Sequence, residues 1–174
     1  MRKKDKSKNI ALSGILAALV VVMLLIGNLL QTLDLTLAAL AGLIVLIALI
    51  EMKEKWALGV YAVSALLAML ISPQTASVIF AGFVGYYPVA KLRLDKIKPR
   101  FLSLLIKLLW FNLFLLLAWL VIERLLGLGD VTEISKWVFI PVCNLCFLLY
   151  DLLLEKFAIL YVIKIRPKLP FGKK

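Results

Sequence analysis

The run from Ile10 to Leu30 carries no charged side chain, and it constrains this chain more than any other feature. About 20 consecutive apolar residues cross a hydrocarbon core of roughly 30 Å. Similar runs recur along the 174 residues, of which 64% are hydrophobic, with a mean hydropathy of +1.04. Globular domains hold about 45–50% apolar residues. The sequence therefore predicts an all-α integral membrane protein in a single membrane domain over 1–174. A basic N-terminal tail covers 1–9, a six-helix bundle 10–164 and a basic C-terminal tail 165–174. The opening MRKKDKSK has the charge of a signal-peptide n-region. The apolar run behind it is too long for an h-region and no small-residue cleavage site follows, so it reads as a retained first helix.

The expected helices span 10–30, 35–50, 56–71, 76–90, 101–122 and 137 to about 164. Gln31-Thr32-Leu33-Asp34 and Ser72-Pro73-Gln74-Thr75 are short polar turns, the second because Pro73 disfavours helix in the residue before it. A cluster from Glu51 to Lys55 separates the second and third helices, and a basic loop runs from Lys91 to Arg100. The longest loop, from Glu123 to Lys136, holds the helix breakers Gly127 and Gly129 and a possible N-cap at Asp130 or Thr132. Pro167 and Pro170 make the C-terminal tail irregular.

Topology follows from Lys and Arg, which collect on the cytoplasmic side of membrane proteins. Five lie in the N-terminal tail, two between helices two and three, five between helices four and five, and six at the C-terminal end. All 18 fall on one side of a six-helix layout. The other side keeps Arg124 and Lys136, and Lys107 lies within the fifth helix. This predicts a multi-pass protein of the cell membrane with both termini cytoplasmic. The net charge of +11 then reflects topology and contact with membrane lipid rather than nucleic-acid binding.

Polar side chains inside a span are costly, and each is a functional candidate. Asn112, Trp119 and Glu123 share one stripe of the fifth helix, and Asn144, Asp151 and Glu155 share one of the sixth. Either they bridge helices or they line a ligand site. Lys107 and Asp151 lie at similar depth, roughly 10 Å inside the inner boundary, and form a candidate buried ion pair. The rival is a Lys107 that snorkels alone to the surface. Asp151 and Glu155 as a proton relay lack a matching acid on another helix at that depth. Cys143 and Cys146 have CxxC spacing, but they lie within a helix with no His in the chain, and read as packing residues. No catalytic residue, metal site or cofactor is expected, and no phosphate-binding Gly-rich loop is present. Tyr86 and Tyr87 suit an interfacial aromatic belt, as do Trp56 and Trp137.

Ala11, Gly14 and Ala18 give the first helix a small-residue face, with Gly14 and Ala18 in small-xxx-small spacing that lets another helix approach closely. That partner is either external or a neighbour in the bundle. With its six helices, its basic N-terminus and the segment IALSGILAALVVV, the chain resembles the substrate-binding S components of energy-coupling factor (ECF) transporters. The resemblance implies uptake of a vitamin or micronutrient. It also implies docking of the first helix, through Ala11, Gly14 and Ala18, on a transmembrane coupling subunit that pairs with ATPases. It places a small-molecule substrate in the outer half, where Asn28, Gln31, Asn112, Trp119, Glu123 and Asn144 are the candidate contacts. The short outer connections depart from that pattern. The alternative is a non-catalytic scaffold similar to the rod-shape MreD proteins, which assemble with partners and carry no substrate.

Overall fold

The computed structural model describes residues 3–30, 32–126 and 133–168, with side chains for all of these except 3–5, 100, 119–126 and 133–138. Gln31, Gly127, Gly129, Asp130, Thr132 and Pro170 lie outside the described residues, as do the side chains of Trp119, Glu123, Arg124, Lys136 and Trp137. The described residues are helical and contain no strand. The helices are α1 (Lys3–Leu30), α2 (Asp34–Met52), α3 (Glu54–Ile71), α4 (Thr75–Ile79), α5 (Tyr87–Leu94), α6 (Arg100–Leu126) and α7 (Glu133–Leu160). A π-helical turn, Phe80–Val84, follows α4, and another, Tyr161–Ile165, follows α7, leading into a 3-10 turn at Arg166–Lys168. Among the described residues, four segments are long and apolar enough to cross a membrane: Lys6–Leu30, Asp34–Met52, Glu54–Ile71 and Phe101–Ala118.

The chain divides into two compact units, Met1–Ala90 with Leu154–Lys174, and Lys91–Leu153. In the first unit α1 packs against α2 and α3. The inner stripe of α1 is Leu16, Val20 and Leu24, with Ala17 and Val21 beside it. Opposite stand fully buried alanines, Ala38, Ala41 and Ala48 on α2 and Ala57 and Ala68 on α3. Lipid tails are as apolar as Leu, so helices in a membrane gain from close contact rather than from burial, and small side chains permit it. The approach is close at Gly27, where a Cβ would meet the Cβ of Ala76 at 3.1 Å and that of Leu37 at 3.3 Å.

The expected continuous helix over 76–90 is not observed. After α4 the backbone widens into the Phe80–Val84 π-turn and turns again before Tyr87. Tyr61 donates its hydroxyl to the Ala81 carbonyl at 2.6 Å, inside that turn. Gly85 is required nearby, since a Cβ there would lie 2.6 Å from the Phe80 ring. Pro88 sits in the first turn of α5, where its missing N–H costs no helical bond, so it starts a helix rather than closing one. Tyr87 does not belong to an interfacial belt. It is fully buried and stacks on Phe83, with ring centroids 5.1 Å apart.

Candidate functional site: a buried charge cluster and committed amides

The expectation of a basic loop from Lys91 to Arg100 needs correction. Helix α5 continues through Leu94, and Lys91 is buried within it, 7% exposed. Lys91 also leaves the set of basic loop residues counted for topology. Its ammonium donates to the Asp151 carboxylate on α7 and lies 3.7 Å from the Asp95 carboxylate one turn on. Lys107, on α6, is 6% exposed and reaches the same two acids, 2.5 Å from Asp95 and 3.3 Å from Asp151. Lys107 and Asp151 are thus together, within a ring of two ammoniums and two carboxylates. Neither lysine snorkels alone.

Local structure explains why the ring closes. The turn after α5 places Asp95 by a bond from its backbone N–H to the Lys91 carbonyl at 2.8 Å. Ser103 Oγ donates to the Leu94 carbonyl at 2.9 Å, tying α6 to the end of α5. Removing charge from water costs several kcal/mol per ion unless a partner offsets it. Here every ammonium has two carboxylate neighbours. Asp151 is 8% exposed, whereas the Asp95 side chain is 46% exposed and forms the outward member of the ring.

Two further rungs join α6 to α7 in the same unit. The rings of Phe111 and Phe147 stack with centroids 4.6 Å apart and planes within 8°. Asn112 and Asn144 exchange amide hydrogen bonds of 2.9 and 3.1 Å. Each also donates to the carbonyl one turn back, Asn112 to Leu108 and Asn144 to Ile140. The antiparallel register is visible in the numbers, since Lys107 meets Asp151 and Phe111 meets Phe147. Of the expected ligand contacts on these helices, Asn112 and Asn144 are therefore committed to each other.

Asn28 lies in the first unit and is equally committed. Its amide nitrogen donates to the Ser72 carbonyl at 3.1 Å, to Ser72 Oγ at 3.1 Å and to Ser77 Oγ at 2.8 Å. Its Oδ1 accepts from the Ala76 backbone N–H at 3.1 Å. One side chain thus fastens the end of α1 to the end of α3 and satisfies a first-turn N–H of α4, which would otherwise lack an intrahelical partner. Sequence reading missed this role, because the Ser-Pro-Gln-Thr connection marks a helix start but not the side chain, 48 residues earlier, that caps it. Asp34, at the first position of α2, keeps one buried carboxylate oxygen without a hydrogen-bond partner among the described residues.

Ala11, Gly14 and Ala18 are all exposed on α1, and a Cβ at Gly14 would meet nothing within 4 Å. The small-residue face is therefore not the one that packs on α2 and α3. Cys143 and Cys146 are unbridged, the second exposed, and Glu155 is exposed as well. No family model, curated protein or solved structure matches this chain.

Proposed function

We propose that this chain is a non-catalytic subunit of a membrane assembly. It resides in the cell membrane and crosses it six times with both termini cytoplasmic. One observation carries the reading: five polar side chains within the helices, Asn28, Asn112, Asn144, Lys91 and Lys107, are engaged by other groups of the chain. Asn28 bonds to Ser72, Ser77 and Ala76, Asn112 to Asn144, and Lys91 and Lys107 to Asp95 and Asp151. Such groups rigidify a fold and leave its work to surfaces that meet other molecules.

The layout supports an S component of an ECF-type uptake transporter, and the exposed face of Ala11, Gly14 and Ala18 leaves α1 open to a coupling subunit with its ATPases. A second reading, a structural scaffold similar to the MreD proteins, is favoured by the committed state of Asn28, Asn112 and Asn144. A substrate site built on these residues would have to break the bonds they make. Purification from native membranes separates the two, with mass spectrometry of both proteins and small molecules. A coupling subunit, ATPases and a bound micronutrient establish the transport reading, and cell-wall machinery without a small molecule establishes the scaffold. For topology, single Cys probes at Gln31, Pro73 and Asp130 in a Cys-free background should label from outside. Outside labelling at Lys96 would contradict both termini being cytoplasmic.

A further inference from the structure

The fold gathers the charges of the first unit at one end. The turn after α1 sends α2 back antiparallel, and Lys53 sends α3 forward again, so the start of α1, the end of α2 and the start of α3 share an end. The segment after α7 joins them. Tyr161 donates its hydroxyl to the Glu51 carboxylate at 3.3 Å, and Arg166 Nε lies 3.3 Å from the same oxygen. This end exposes Lys6, Lys8, Lys53, Lys55, Lys164 and Lys168. Glu51 is already held by Arg166 and Tyr161, which leaves Glu54 as the other acid of the α2–α3 junction. The opposite end, fastened by Asn28 to Ser72, carries Asp34 and no basic residue among the described ones.

We propose that this lysine-rich end is a seat for anionic phospholipid headgroups, with the post-α7 segment latched on Glu51 as part of it. Charge complementarity selects the occupant. Lys6, Lys8, Lys53 and Lys55 lie at the ends of apolar helices of membrane-crossing length, which sets their ammoniums at headgroup depth, and the Glu51 latch brings the segment of Lys164 and Lys168 to the same end. Phosphate groups lie there, whereas a soluble acidic partner would have to displace them. The proposal rests on the reading of α1–α3 as membrane crossings.

Trp56, beside Lys55, gives a local probe. A variant with Trp110, Trp119 and Trp137 changed to Phe is placed in vesicles of phosphatidylcholine mixed with brominated phosphatidylglycerol, and in the reverse labelling. Quenching of Trp56 gives the ratio of binding constants. The expected preference for phosphatidylglycerol is about fivefold or more, the factor that one Lys contributes near an anionic surface. It falls towards one in the Lys6→Gln, Lys55→Gln, Lys164→Gln and Lys168→Gln combination, and at high salt without any substitution. A ratio near one in the parent, or an unchanged preference in the fourfold variant, overturns the proposal. Failure of the chain to enter vesicles would instead overturn the membrane reading on which it rests.

Discussion

The two units hold their helices together by opposite means. In the first, Ala38, Ala41, Ala48, Ala57, Ala68 and Gly27 let backbones approach closely, and a single amide, Asn28, closes one end. In the second, long side chains do the joining: four charges, two stacked rings and two asparagines. The difference follows from what an apolar solvent rewards. Close contact gives many small dispersion gains and needs no partner chemistry. Polar groups in the same setting are costly when single and specific when matched. The first unit is therefore sensitive to added volume, and the second to an unbalanced partner.

The largest effect is expected in the charge cluster. Asp151→Leu leaves Lys91 and Lys107 facing Asp95 alone and should cost about 3–5 kcal/mol of stability. Adding Lys91→Leu leaves Lys107 paired with Asp95 and should recover most of that loss. Thermal unfolding of the two variants checks it. A double variant as unstable as the sum of the single ones would show that the charges act separately.

Next comes added volume in the first unit. Gly27→Ala drives a methyl to 3.1 Å from Ala76 and should cost about 1–3 kcal/mol, while Gly14→Ala on the same helix should change stability little. Equal responses would mean that α1 is not packed more tightly at Gly27 than at Gly14.

The smallest effect concerns the amide pair. Asn112→Leu strands Asn144 and should cost about 0.6–2 kcal/mol, the range for interhelical hydrogen bonds in membranes. Changing both to Leu should cost less than the single change, because no polar group is then left alone. Unfolding in detergent with a graded denaturant gives the comparison, and additive losses would contradict it.

Much of this was legible in the sequence. The apolar runs locate α2 and α3 to within two residues and fix the end of α1, because length without charge is a strong signal, but α1 begins at Lys3, seven residues before the apolar run and inside the expected basic tail. Counting depth along two helices pairs Lys107 with Asp151, and the polar stripes hold Asn112 and Asn144. Lys91 escaped notice because it opens a basic run, yet it continues an apolar helix that Pro88 begins. The π-turn at Phe80–Val84 and the Asn28 clamp depend on contacts with Tyr61, Ser72 and Ser77, distant in sequence and invisible to local pattern. The small-residue motif at Gly14 left an external partner and a neighbour in the bundle open, and it lies exposed, whereas the buried pairs with that spacing are Ala38 with Gly42 on α2 and Ser64 with Ala68 on α3.

The central proposal is that the chain works through a partner docked on α1, while Asn28, Asn112, Asn144, Lys91 and Lys107 are already engaged within the chain. The direct test measures thermal stability of Gly14→Leu and Ala18→Trp beside recovery of partners from native membranes. Both positions are exposed, so the account predicts unchanged stability of the purified variants and loss of the partner. A variant that unfolds on its own, or one that keeps its partner, would contradict it.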